Sequence, residues 1–150
     1  MKKNLFLLVW LLTACASDEP GIDTTYPVIS AEGLYPQPCT MLERGKTYTF
    51  TVTFSDNLEL GSYKFDIHHN FDHHNHSTTV ESCDEDPVKE PVKPFLLVYP
   101  QDIPAGSTRY TAEVPVSIPA DVDVGDYHFG IDVTDKTGWQ TSKRMSIKIK

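Results

Sequence analysis

Basic residues are scarce in this sequence: 13 lysines and arginines stand against 21 aspartates and glutamates, a formal net charge of −8. Without a cationic surplus to neutralise phosphates, nucleic acid is not an expected partner. Long apolar runs are missing except at the extreme N-terminus, and that run is shorter than the roughly 20 residues needed to span a bilayer. Methionine is rare, three residues including the first, which argues against a methionine-rich copper(I) carrier. No H-E-x-x-H pair, phosphate-binding glycine loop or Ser-His-Asp arrangement is visible. At 150 residues there is no room for a separate cofactor domain. The expectation is one small domain that is not an enzyme.

What is present begins with an address. Lys2 and Lys3 precede an apolar stretch from Leu5 to Leu12, followed by Thr13, Ala14 and Cys15. The run resembles a bacterial lipobox. The resemblance implies removal of residues 1–14 and lipidation of Cys15, with two or more acyl chains giving stable anchoring. Asp18 and Glu19 resemble, more weakly, the acidic stretch that sends lipoproteins to the cell surface. An outer-membrane lipoprotein, surface-exposed rather than periplasmic, is the resulting expectation. Residues 15–25 read as the lipidated cysteine and a polar tether.

Two cysteines remain, Cys39 and Cys83. An even pair in an exported chain reads as a disulfide. It would close a loop of about 44 residues, worth roughly 3–4 kcal/mol in the chain-entropy model. The alternative is a pair of thiolate metal ligands.

Eleven prolines and eight glycines cut the chain into short segments, and no segment has sustained helical periodicity. Thr47, Thr49, Thr51 and Thr53 alternate with Tyr48, Phe50, Val52 and Phe54. Tyr63, Phe65 and Ile67 alternate with Lys64, Asp66 and His68. Further strands are expected at 95–99, 110–118, 127–133 and around Ile147 and Ile149. Six or seven short strands in residues 26–150 predict an all-β antiparallel sandwich. Asp123, Gly125, Tyr127 and Phe129 resemble the tyrosine corner of immunoglobulin-like domains. That resemblance implies that 127–133 pairs antiparallel with 62–68, with Lys136, Thr137 and Gly138 at the tip of the next hairpin.

Five of the six histidines lie between 68 and 76, in the run DIHHNFDHHNHS. Imidazole ligates zinc, copper and nickel, and such tracts read as metal-binding. Asp66 and His68 are two apart on a strand and leave the same face. His74 and His76 would do so if extended, with His73 a further candidate. The predicted centre uses Asp66 and His68 with two of His73, His74 and His76. Phe71, the one large apolar residue in the run, is expected to pack against the sandwich and fix the loop. The competing reading is a solvated loop that chelates as an affinity tag does. His128 is expected to point away from the core, close to Asp66 and His68 across the strand pair, within about 5–8 Å. It is either an ordinary exposed strand histidine or a sixth member of the metal set.

The lipobox, the sandwich pattern and the strand running into KFDIHHNFDHHNHS resemble an uncharacterised family of Bacteroidetes lipoproteins. That resemblance implies an immunoglobulin-like fold and directs attention to Asp66, His68, His74 and His76. It implies no activity.

The leading functional expectation is an envelope lipoprotein that captures or buffers a transition metal, zinc first, with copper(II) or nickel as alternatives. Location suggests service to an outer-membrane transporter or surface complex. The second expectation is a non-catalytic glycan- or protein-binding module, for which an exposed aromatic platform near Trp139 would speak. An enzyme resembling copper–zinc superoxide dismutase is not expected. Here five histidines share one loop instead of being dispersed over strands.

Overall fold

The structure, a computed structural model, describes residues 22–74 and 83–150. Among these there is no helix. Eight strands occur: β1 (Val28–Ile29), β2 (Met41–Leu42), β3 (Thr47–Ser55), β4 (Leu60–His69), β5 (Leu97–Asp102), β6 (Arg109–Ser117), β7 (Gly125–Asp135) and β8 (Gln140–Ile149). They form two sheets, ordered β1-β3-β6 and β2-β8-β7-β4-β5. The pairs are antiparallel apart from β2 with β8.

The alternation read from the sequence dictates this arrangement. Phe50, Val52 and Phe54 of β3 and Ala112, Val114 and Val116 of β6 are buried on one inner face. Tyr63, Phe65 and Ile67 of β4, Phe129, Ile131 and Val133 of β7, and Met145, Ile147 and Ile149 of β8 supply the other. Phe129 sits between the sheets, edge-on to Phe50 at 5.0 Å and to Phe65 at 5.4 Å. The threonines of β3 take the wet face, where Thr47 and Thr53 reach hydroxyls of Ser117 and Thr111 on β6.

The tyrosine corner is present. Tyr127 donates its hydroxyl proton to the Asp123 carbonyl at 2.7 Å and accepts from the Phe95 amide at 3.1 Å. The fold is thus an immunoglobulin-like sandwich. Cys39 and Cys83 are bonded, with Cα atoms 5.5 Å apart. Cys39 lies beside β8, its amide donating to the Ser146 carbonyl.

Four features differ from the sequence expectation, the first being β5, which runs over Leu97–Asp102 and not 95–99 because the Phe95 amide is taken by the Tyr127 hydroxyl. The short strands β1 and β2 lack an alternating pattern and were not anticipated. β8 starts at Gln140, because Gln140 to Arg144 alternate polar residues on both sides and carry no apolar signal. Residues 22–25, read as the end of a tether, lie against the β7–β8 hairpin, where Trp139 Nε1 donates to the Asp23 carbonyl at 2.8 Å.

Candidate functional site

β4 and β7 pair in the expected register, with His68 opposite His128 and Asp66 opposite Gly130. The chain leaves β4 at His69 and turns back over the outer face. Asn70 donates its amide to the Asp126 carbonyl at 2.8 Å. Phe71 is buried edge-on against Tyr127, with ring centroids 5.3 Å apart. Gly125 makes this seat: its φ is +126°, and a Cβ there would come 3.1 Å from Phe71. The segment after Cys83 lies over the same end. Lys89 donates its amide to the Phe71 carbonyl, and Asp86 donates its amide to Asp126 Oδ2 at 2.7 Å. Lys148 Nζ bridges Asp126 and Asp86 at 2.8 and 2.9 Å.

This cover brings three imidazoles together. The ring centroids of His68 and His74 are 5.4 Å apart and nearly parallel. His128 lies 5.5 Å from His68 and 5.1 Å from His74. The cross-strand placement of His128 is therefore as expected. Its exposure is not: the covering loop leaves it 1% exposed, so it is no ordinary surface strand residue.

Carboxylates orient two of the rings. Asp66 Oδ1 is 3.1 Å from His68 Nδ1, and Asp72 Oδ1 is 2.6 Å from His74 Nδ1. A carboxylate accepts, so each Nδ1 carries a proton, and a metal ion bound to either ring would take Nε2. His128 Nε2 donates to the His74 carbonyl at 3.1 Å, which makes Nδ1 its lone-pair nitrogen. The bond to His68, helped by Arg144 and Lys64, holds the Asp66 carboxyl below the usual range. The bond to His74 does the same for Asp72.

Asp66 therefore sits behind His68 as its orienting partner, with Arg144 Nη2 at 3.8 Å and Lys64 Nζ at 4.0 Å. Its carboxylate lies across the backbone of β7. An ideal Cβ on Gly130 would fall 2.4 Å from Asp66 Oδ2. The sequence reading did not single out Gly130, although a glycine interrupting Tyr127, Phe129, Ile131 and Val133 signals close approach within a strand. Asp132, next along this face, has its carboxyl lowered to about 2; burial opposes the shift, and hydrogen bonds from Arg144, Ser142 and Lys64 outweigh it.

The other expected site residues fall elsewhere. His73 adopts a positive φ of 56°, its Nε2 donates to the Asp86 carbonyl at 2.9 Å, and its Nδ1 faces Glu85 at 3.5 Å. His69 packs against Phe71. His76 and Cys15 lie outside the described residues. Trp139 is only partly covered. Its indole N–H is used by Asp23, and Tyr26 covers it at 4.7 Å.

No curated protein matches the chain. Among solved structures, a GspB Siglec domain is similar, at 18% identity and a TM-score of 0.46. The match covers 85% of this chain and 59% of that one, so the chain spans less than two thirds of that structure's length. A family model described as a domain of unknown function, DUF4625, matches residues 13–150, and the chain belongs to that family.

Proposed function

We propose that this chain is a non-catalytic binding module of the cell envelope whose ligand is a transition metal ion, zinc first, with copper(II) or nickel as alternatives. His68, His74 and His128 are the proposed ligands. The observation that carries this reading is the convergence of three imidazoles from β4, β7 and the covering loop, with His68 and His74 backed by Asp66 and Asp72. A carboxylate behind a ligating imidazole fixes its tautomer and raises its basicity, the usual outer partner of a metal-bound histidine. Three nitrogen ligands leave a fourth position for His76, water or a partner's group. The covering loop separates this arrangement from a tag-like chelator, because Phe71 and Asn70 hold it with contacts that need no metal.

The leader-like residues 1–15 support attachment to the outer membrane through Cys15. From there the module would hand its ion to an outer-membrane transporter or surface complex. We assign no catalytic role.

The test is metal analysis of untagged protein, followed by zinc titration of single substitutions. His68→Ala and His128→Ala should each weaken binding at least tenfold, while His69→Ala and His73→Ala change it little. Small, equal losses at every histidine would reduce the loop to an unspecific chelator and overturn the assignment.

A second reading, a glycan- or protein-binding module, has one observation in its favour. A polar groove of about 520 Å³ on the outer face of the five-stranded sheet is lined by Lys64, Gln101, Asp102, Asp132, Thr134 and Gln140. Its donors and acceptors suit sugar hydroxyls. Saccharide binding lost in Gln101→Ala but kept in His68→Ala would favour this reading.

A further inference from the structure

At the opposite end of β4 and β7 from the histidines, three carboxylates converge. Asp23 comes from the N-terminal segment, Asp56 from the β3–β4 turn and Asp135 from the end of β7. Each offers an oxygen, and the three oxygens lie within 4.8 Å of one another. Like charges this close repel unless something positive stands between them. Among the described residues, no lysine, arginine or histidine forms an ion pair with any of the three.

The hydrogen bonds show how the oxygens are divided. Asp23 Oδ1 accepts from the Thr25 amide at 2.9 Å and from Asn57 Nδ2 at 3.2 Å. Asp56 Oδ2 accepts from the amides of Leu58 and Glu59 at 2.9 and 3.0 Å. Asp135 Oδ1 accepts from the amides of Thr137, Gly138 and Trp139 at 2.9, 2.6 and 2.8 Å. Asp23 and Asp56 are thus each held through one oxygen, whereas Asp135 is held through both, the Thr137 hydroxyl donating to its Oδ2 at 3.0 Å. Asp23 is only 8% exposed and Asp135 only 5%. Asp23 Oδ2 and Asp56 Oδ1 are shut off from solvent and accept no hydrogen bond. A buried carboxylate oxygen with neither solvent nor a donor is costly, and native structures supply such a group with a partner.

We propose that Asp23, Asp56 and Asp135 form a site for a hard divalent cation, calcium, which ties the N-terminal segment to the sandwich. An all-oxygen donor set selects calcium over the metals that imidazoles prefer. The spacing fits: two oxygens on opposite sides of a calcium ion stand about 4.6–5.2 Å apart, given ligand distances of about 2.3–2.6 Å. Trp139 and Tyr26 close one side of the site, through the Asp23 carbonyl bond and the ring contact at 4.7 Å. The cation would act as a clasp, holding residues 22–26 on the β7–β8 hairpin.

The experiment is a calcium titration of the full chain by calorimetry, with thermal unfolding followed in calcium and in chelator. Calcium should bind and raise the unfolding midpoint by several degrees, reversibly on chelation. Asp56→Asn can keep the amide bonds of Leu58 and Glu59 while removing charge. It should lose the calcium response, with affinity reduced at least tenfold, yet unfold in chelator at the same temperature as the unsubstituted chain or higher. Asp23→Asn should behave the same way and guards against a folding defect in the first variant. Zinc binding at the histidine end should be unchanged in both. The proposal is overturned by absence of binding at calcium up to about 10 mM, beyond the weak end of extracellular sites. A response to magnesium alone, or a calcium response that survives both substitutions, overturns it as well.

Discussion

Replacing Gly130 with alanine tests the orientation of His68 without touching any imidazole. The new Cβ would lie 2.4 Å from Asp66 Oδ2, 2.8 Å from Cγ and 2.9 Å from Oδ1. No carbon packs that closely, so the Asp66 carboxylate must move. Its departure breaks the bond to His68 Nδ1 and weakens the attraction to Arg144 and Lys64. A hydrogen bond to a charged group is worth about 1.5–3 kcal/mol. Alanine returns about 0.5–1 kcal/mol of backbone entropy relative to glycine in a strand. The net loss should be about 1–2 kcal/mol, or roughly 3–6 °C in the unfolding midpoint of a domain of this size. Zinc affinity should fall by about 10–100-fold, the usual consequence of losing the partner behind a ligating histidine. Chelator-competition titration reads the second quantity, and thermal melts in EDTA read the first. A double-mutant cycle completes the argument: on an Asp66→Ala background the Cβ meets no carboxylate, so Gly130→Ala should cost little in either measurement. Zinc affinity within twofold of the unsubstituted chain, or strict additivity in the cycle, would refute the reasoning.

Other outcomes can be checked with less work. The Asp132 carboxyl is lowered in the folded chain from 3.8 to about 2, so its stabilising contribution is present above the unfolded value and lost as pH falls toward about 2; acid melts of Asp132→Asn should show a flatter decline across that window. The disulfide closes 44 residues, so Cys39→Ser with Cys83→Ser should lower stability in denaturant by about 4 kcal/mol and weaken zinc binding as the cover loosens. Zinc should slow hydrogen exchange at the amides of Asn70, Asp86 and Lys89, which bond across the cover, by more than it slows the β3–β6 ladder; equal slowing at both would show that zinc does not act at the cover.

The sandwich was legible because its strands alternate cleanly. Thr47 to Phe54 and Tyr127 to Val133 announce both their structure and their inner faces, and Asp123, Gly125 and Tyr127 identify the corner that sets the register of β7 on β4. That register placed His128 beside His68 across sixty positions of sequence. The burial of His128 was not legible, because it depends on where the segment after Cys83 lies down. The non-local bonds from Asp86 to Asp126 and from Lys89 to the Phe71 carbonyl decide that path. His73 was inseparable from His74 by residue type alone; a single residue of positive φ turns its ring toward Asp86 and away from its neighbours. The carboxylates at the other end were hidden for the opposite reason. Asp23, Asp56 and Asp135 are each typical turn aspartates, and only the fold shows that their carboxylates meet.

The two ends of the sandwich solve related electrostatic problems with different chemistry. At the histidine end, the carboxylates of Asp66 and Asp72 point at imidazole N–H groups, and their charge is spent on orientation. Three imidazole rings are gathered within 5.5 Å of one another, a donor type that favours a borderline-soft ion. At the aspartate end, the backbone amides of Thr25, Leu58 and Gly138 do the orienting, and the charge itself is left to converge, which favours a hard ion. The rigid strands β4 and β7 run between the ends and contribute to both, His68 and His128 at one, Asp135 at the other. A ligand at either end therefore stabilises the same two strands. Under the proposed binding, mass action would make each ion a contributor to the stability of the folded state, since neither set of ligands is assembled in the unfolded chain.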